Sequence, residues 1–149
     1  MIRTHIILHT VAKRGDTSAA EIKRWHTSPD PKDPSKPWKD IGYHYVIRKD
    51  GLVEEGRKEH INGAHCSAGG MNRVSIGICI AGHGDFEEWT TAQTHSVREL
   101  IVKLCIKYNI HADNIKGHCE YDSGKTCPGK LIDMNSVRAY FKKRLHETI

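Results

Sequence analysis

The apolar segment over residues 75–82 limits the fold of this chain more than any other feature. Every residue from Ile76 to Ala81 is apolar or glycine, and a strand that is apolar on both sides of its pleat has to be covered on both faces. The segment therefore predicts a central strand in a sheet with further layers on both sides. It is far shorter than the roughly 18 to 20 residues that span a bilayer, so we expect no membrane insertion.

Other segments predict helices and strands before and after this central strand. Ser18 and Glu21 have the spacing of a capping box, in which both side chains accept a backbone N–H at the start of a helix. Asp50-Gly51 between two β-favouring runs predicts a hairpin, because glycine readily adopts the positive φ of a tight turn. The predicted strands are 3–10, 43–48, 52–54, 75–82 and 115–117, and the predicted helices are 18–26, 91–108 and 135–146.

This order of elements predicts an α/β fold in which helices flank a central mixed β-sheet. A chain of 149 residues has the size of one ordinary domain, so we expect residues 1–149 to form a single domain. Helical spacing places Cys105 on a buried stripe, and Cys79 lies in the central strand, so both thiols are expected in the core. Ile22 and Trp25 are expected to form the buried side of the first helix.

The composition narrows the possible partners and cofactors. Five cysteines without a CxxC pair indicate reduced thiols rather than a disulfide framework. The 11 histidines are far more than an average chain carries, and neutral imidazole is the commonest metal ligand. The formal net charge is only +5 and the basic residues are spread along the sequence, so we expect no nucleic-acid partner. The N-terminus lacks the features of a secretory signal, and we expect synthesis in a cytoplasm.

Three residues at predicted strand ends or in loops could bind one metal ion. His118 ends a strand, and Cys127 follows nine residues later, which lets a loop return both side chains to one point. His9 ends another strand and is the natural third ligand, since catalytic zinc sites use three protein ligands. The alternative is that the thiols are idle and His118 is an ordinary loop histidine, and spacing alone weighs the two equally.

Three motifs, occurring in order along the chain, resemble the zinc-dependent type 2 N-acetylmuramoyl-L-alanine amidases. They are Ile41-Gly42-Tyr43-His44-Tyr45-Val46-Ile47 followed by Arg48-Lys49-Asp50-Gly51, then Asn72-Arg73-Val74-Ser75-Ile76-Gly77-Ile78-Cys79, and then Lys125-Thr126-Cys127-Pro128. That family shares its fold with the peptidoglycan recognition proteins. The resemblance implies that one Zn²⁺ is bound and that the bond between N-acetylmuramic acid and L-alanine in peptidoglycan is hydrolysed.

The resemblance also implies a role for individual residues. It places the zinc ligands at His9, His118 and Cys127, and the catalytic groups at Tyr43 and Lys125. The sequence departs from the family at Thr10, where a cysteine or serine is frequent. Glu120, beside a ligand histidine, is a candidate proton shuttle or a group that orients the ligand.

The glycine-rich segment 63–70 is the candidate substrate-binding region. His65, Asn72 and Arg73 carry donors that could bind a sugar or the carboxylates of a stem peptide, although a polar loop without a ligand is an equal alternative. Trp38, in the proline-containing loop 27–40, is a candidate to stack on a sugar.

The resulting hypothesis is a phage or prophage endolysin that acts on peptidoglycan or muropeptides after release through a holin-type pore. The alternatives are a cytoplasmic muropeptide-recycling amidase and a non-catalytic peptidoglycan-binding module. The family resemblance alone also suggests binding to an RNA polymerase as a second role.

Overall fold

The computed structural model describes residues 2–148, which form one mixed sheet with helices on both faces. The strand order is β3-β2-β4-β1-β5, and every neighbouring pair is parallel except the antiparallel pair β2–β3. This arrangement confirms the predicted fold class. No described helix is long and apolar enough to cross a membrane. The strands are β1 (His5–Thr10), β2 (Tyr45–Ile47), β3 (Val53–Glu55), β4 (Ser75–Ile80) and β5 (Ile115–Gly117), and the helices are α1 (Ala19–His26), α2 (Met71–Val74), α3 (Thr91–Tyr108) and α4 (Met134–Thr148).

The central strand β4 separates two faces of different character. All six of its residues are buried, and it pairs with β1 on one side and β2 on the other. Its isoleucines, together with Ile6 and Leu8 of β1, pack in the main core with residues of α3 and with Phe141 of α4. Because side chains alternate along a strand, the residues between them lie on the opposite face. The candidate site residue His9 of β1 lies on this opposite face of the sheet.

The second face is covered by α1, α2 and the loops around them. Ile22 of α1 packs with Cys79 and Val46, and Met71 of α2 packs with Ile7 and Cys66. Cys79 and Cys105 are both buried, as predicted. The short helix α2 was not predicted, since four residues are too few for a visible periodicity.

The prediction for Trp25 was wrong. Its side chain is 42% exposed, with the Lys13 ammonium 5.8 Å from the ring centroid. Ile22 is the buried residue of α1 and packs with Cys79 and Val46. Three residues turn an α-helix through about 300°, so Trp25 lies about 60° around the helix from Ile22. The predicted helix 91–108 is confirmed, with a capping box at Thr90.

Glu59 joins the hairpin side of the sheet to α3. Its carboxylate accepts hydrogen bonds from Tyr45, Tyr108 and the Lys107 ammonium, the last over 2.7 Å. Burial alone would raise the pKa of this carboxyl, but the three donors outweigh it and hold the pKa at about 2. The carboxylate is therefore part of the folded structure in its charged form.

Candidate active site

Three side chains meet at the edge of the sheet where β1 and β5 end. Parallel strands bring their carboxyl ends to one edge, and Leu8 pairs with Gly117 in the β1–β5 register. The next residues along the two strands are His9 and His118, whose ring centroids lie 4.7 Å apart. One ligand atom from each of His9, His118 and Cys127 lies within 4.8 Å of the other two. The structure thus brings together the three residues singled out as metal ligands.

A close backbone contact holds the loop that carries Cys127. The Cys119 N–H donates to the Cys127 carbonyl over 2.7 Å, so the loop closes on itself. Gly84 lies against this loop, and a Cβ added to Gly84 would lie 2.0 Å from the Pro128 carbonyl oxygen. Gly129 faces Gly84 with a φ of +128°. Only two glycines allow the segments to approach this closely, and the contact fixes the position of the thiol.

The environment keeps the three groups uncharged in the absence of a cation. Burial lowers the pKa of His9 well below its ordinary value, with His65 and His118 adding to the shift. Burial also lowers the pKa of His118. It raises the pKa of the Cys127 thiol to about 12, although the Thr10 N–H donates to the sulfur over 3.0 Å.

This donor set fits zinc. Two neutral imidazoles and a thiolate are ligands that zinc prefers, and three of them leave a fourth position open. A divalent cation would also offset the cost of ionising a buried thiol, because it places a positive charge directly against the sulfur.

The two predicted catalytic groups, Tyr43 and Lys125, both lie near this cluster. The Tyr43 ring is 5.0 Å from the His9 ring, and burial, together with the neighbouring Cys79 and Cys127, raises the pKa of its hydroxyl well above 10. Tyr43 therefore keeps its proton. Lys125 is exposed on the loop before Cys127, and its ammonium makes no hydrogen bond or ion pair with another side chain within residues 2–148. Its charge is close enough to lower the pKa of His118.

The predicted substrate residues separate into internal and exposed groups. His65 Nδ1 lies 2.8 Å from His9 Nε2, and the Asn72 side-chain oxygen accepts the backbone N–H groups of His65 and Cys66. Arg73 is exposed. Trp38 is half-buried, with its ring 4.7 Å from the His26 ring. Arg73 is therefore the one exposed residue of the four, whereas the polar groups of His65 and Asn72 are engaged within the protein.

Two further residues near the site have structural contacts. The Glu120 carboxylate accepts hydrogen bonds from the Gly117 N–H over 2.8 Å and from the Arg138 guanidinium over 2.7 Å. These bonds engage the carboxylate with the backbone at the end of β5. His26 accepts the Gly42 N–H over 2.9 Å, and its ring lies 5.6 Å from the Tyr43 ring. It supports the turn that presents Tyr43, and no local sequence signal marks that contact.

Comparison with known proteins assigns the chain to a family. A family model described as N-acetylmuramoyl-L-alanine amidase matches residues 2–130. The chain belongs to this amidase family. The endolysin of Escherichia phage T7 is 39% identical to this amidase over 113 residues, which are 72% of this chain and 67% of that protein. Peptidoglycan-recognition protein SC2 of Drosophila melanogaster is 33% identical over 136 residues, which are 91% of this chain and 72% of that protein.

A solved structure supports the same assignment. The N-acetylmuramoyl-L-alanine amidase LysC from Clostridium intestinale matches with a TM-score of 0.80 and 28% identity, over 94% of this chain and 85% of that chain. The resemblance stated from the three sequence motifs is confirmed. This protein is an N-acetylmuramoyl-L-alanine amidase, and therefore a hydrolase.

Proposed function

We propose that this amidase is a zinc enzyme that cleaves the bond between N-acetylmuramic acid and L-alanine in peptidoglycan, and that it serves as a phage or prophage endolysin. The observation that carries the zinc assignment is the approach of His9, His118 and Cys127 within 4.8 Å at the end of parallel strands. The relatives named endolysin support the biological role, since one of them is 39% identical.

The two histidines and the cysteine are prepared for a cation in different ways. His9 and His118 have lowered pKa values, so their imidazoles are neutral and offer a lone pair at pH 7. Cys127 has to release its proton, and the Thr10 N–H then donates to the thiolate. When bound, zinc supplies Lewis acidity, which polarises a carbonyl and activates water near neutral pH.

Tyr43 and Lys125 are proposed to stabilise the reacting amide. Water adds to the carbonyl carbon, the oxygen becomes negatively charged, and the C–N bond then breaks as a proton reaches the departing amine. A phenol that keeps its proton and an ammonium without a partner side chain can both donate to that oxygen. One such donor, held in place before the reaction, contributes about 2.7 to 4 kcal/mol.

The substrate side of the proposal assigns peptidoglycan binding to half-buried Trp38 and exposed Arg73. Trp38 is a candidate to stack on a sugar, and the Arg73 guanidinium is a candidate to bind a stem-peptide carboxylate. Neither assignment depends on the metal. A Trp38→Ala variant is expected to raise KM for wall fragments and to keep the zinc content of the wild type.

The deciding experiment is incubation with purified peptidoglycan followed by mass analysis of the fragments, with chelated and zinc-restored samples in parallel. The proposal expects stem peptides with a free L-alanine amino end, lost on chelation and regained with zinc. Release of new reducing sugar ends would instead indicate a glycosidase, and wall binding without release would indicate a binding module. Cleavage of soluble muropeptides but not of intact wall would favour a recycling amidase over an endolysin.

A further inference from the structure

A chain of hydrogen bonds leads from the proposed ligand His9 back into α2. His9 Nε2 lies 2.8 Å from His65 Nδ1, and His65 Nε2 lies 3.3 Å from the Ser75 hydroxyl oxygen. That hydroxyl donates to the Met71 carbonyl over 2.6 Å. The role of His65 was predicted from sequence as substrate binding, whereas these contacts direct both of its ring nitrogens toward the protein.

The Met71 carbonyl oxygen, at the end of this series of hydrogen bonds, sets the direction of every hydrogen bond in the series. A carbonyl oxygen only accepts, so the single hydroxyl proton of Ser75 is committed to Met71. Ser75 can then only accept from His65, which must carry its proton on Nε2. A neutral imidazole has one N–H, so His65 Nδ1 is an acceptor, and His9 must donate to it from Nε2. The proton arrangement follows from the heavy-atom network.

The consequence for His9 is that its Nδ1 lone pair stays free. Nδ1 is also the nitrogen that faces the other proposed ligands, since it lies 3.7 Å from the Cys127 sulfur. In the opposite tautomer the proton would occupy Nδ1 and block a cation from this nitrogen.

The position of the His65 ring is built into the surrounding backbone. An added Cβ at Gly77 would lie 2.6 Å from the ring, and one at Gly63 would lie 2.4 Å from it. The backbone N–H of His65 is held by the Asn72 side-chain oxygen over 2.8 Å. Two glycines and an amide thus fix the ring against His9.

We propose that His65 is a positioning residue that holds His9 in its Nε2–H tautomer, so that Nδ1 is ready to bind the metal before the metal arrives. This proposal rests on the assignment of His9 as a zinc ligand. Partners that orient a ligand histidine typically change metal affinity by about 10- to 100-fold when they are removed.

The first test uses the metal-free wild-type protein and nitrogen-15 NMR of its histidine rings. The proposal expects the proton of His9 on Nε2 and that of His65 also on Nε2. A proton on Nδ1 of His9 would overturn the proposal. This measurement is independent of catalysis, so it decides even if the wild type fails to bind zinc, which would instead overturn the proposed function.

The second test compares two substitutions at one position. His65→Leu removes the acceptor, whereas His65→Asn places an amide oxygen close to the position of Nδ1. We expect zinc affinity to fall about 10- to 100-fold in His65→Leu and to recover most of that loss in His65→Asn, with KM unchanged in both. Wild-type zinc affinity with a raised KM in His65→Leu would show a substrate-binding residue and contradict the proposal. Thermal unfolding of both variants separates these effects from a loss of folding.

Discussion

The backbone N–H of Thr10 lies 3.0 Å from the Cys127 sulfur and donates to it. This bond is suited to a thiolate, since an N–H donor stabilises a negatively charged acceptor most strongly. We therefore predict that Cys127→Ser loses stoichiometric zinc, because a site of three protein ligands tolerates the loss of one poorly. Metal analysis of the purified variant is the measurement.

Cys119→Ser is the matched control for this experiment, because Cys119 is the other half-exposed thiol of the same loop. It should bind zinc as the wild type does. If Cys127→Ser keeps zinc and only the double variant loses it, Cys119 replaces Cys127 as a ligand in the single variant. If Cys127→Ser and the double variant both keep stoichiometric zinc, the assignment of Cys127 is wrong.

Removing a proposed oxyanion donor should separate chemistry from metal binding. Lys125→Ala and Tyr43→Phe should each lower turnover by roughly 100-fold or more, with zinc content unchanged, since neither side chain is among the proposed ligands. Lys130→Ala is the control for the lysine, because Lys130 is exposed on the segment just after Cys127. Release of L-alanine amino ends is the assay, and near wild-type turnover in both variants would rule out their proposed role.

The contact between Gly84 and the loop of Cys127 predicts that a methyl group added at a residue that is not a proposed ligand affects metal binding. Gly84→Ala would place a Cβ 2.0 Å from the Pro128 carbonyl oxygen, so the loop has to move and zinc affinity should fall by about tenfold or more. Gly124→Ala, in the same loop, meets only the Asp122 side chain at 3.4 Å and should bind zinc normally. Equal zinc affinities measured for the two variants would show that the glycine contact does not position the thiol.

The Glu59 cluster predicts a specific loss of stability in acid. The pKa of Glu59 is about 2 in the folded protein, below the ordinary value of about 4.3 for an unfolded chain. A lowered pKa in the folded state stabilises the protein above the unfolded pKa, and this contribution is lost as the pH falls from about 5 to about 2. Glu59→Gln should therefore lower the free energy of unfolding by about 1 to 3 kcal/mol at pH 7 and flatten its dependence on pH in that range.

Glu55→Gln provides the comparison for Glu59→Gln. Glu55 forms a surface ion pair with Lys58 at 3.4 Å, and the Glu55 side chain is 65% exposed. Such pairs contribute at most about 1 kcal/mol. Chemical denaturation at several pH values measures both variants, and equal effects would contradict a special role for the Glu59 cluster.

Sequence reasoning succeeded where the determining interactions are local. The helix over residues 91–108 has an apolar periodicity carried by its own residues and a capping box at Thr90, the residue directly before it. The sequence placed both His9 and His118 at strand ends, and the parallel pairing of β1 and β5 brings these ends to one edge of the sheet. Trp25 was misplaced because the width of the covered side of α1 depends on the elements packed against it, which the spacing of its own apolar residues does not show.

The remaining features of the site depend on contacts between distant parts of the chain. His65 and His9 are 56 residues apart, and their contact requires the space that Gly77 leaves on the central strand. Gly84 and Gly129 meet across a gap of 45 residues, and neither carries a side chain that could indicate a partner. A glycine in a sequence shows that space is available, but not which group fills it.

The alternation along β1 makes a single strand responsible for two different surfaces. Ile6 and Leu8 belong to the main core, while Ile7 packs on the opposite face and His9 reaches the proposed metal-binding cluster. Inserting one residue at the start of this strand would exchange the two sets, since a shift by one position reverses the face of every side chain. The imidazole would then enter the hydrocarbon interior, and Leu8 would take the place of His9 beside His118 and Cys127. The protein therefore cannot lose the register of β1 and keep either its core or its catalytic site.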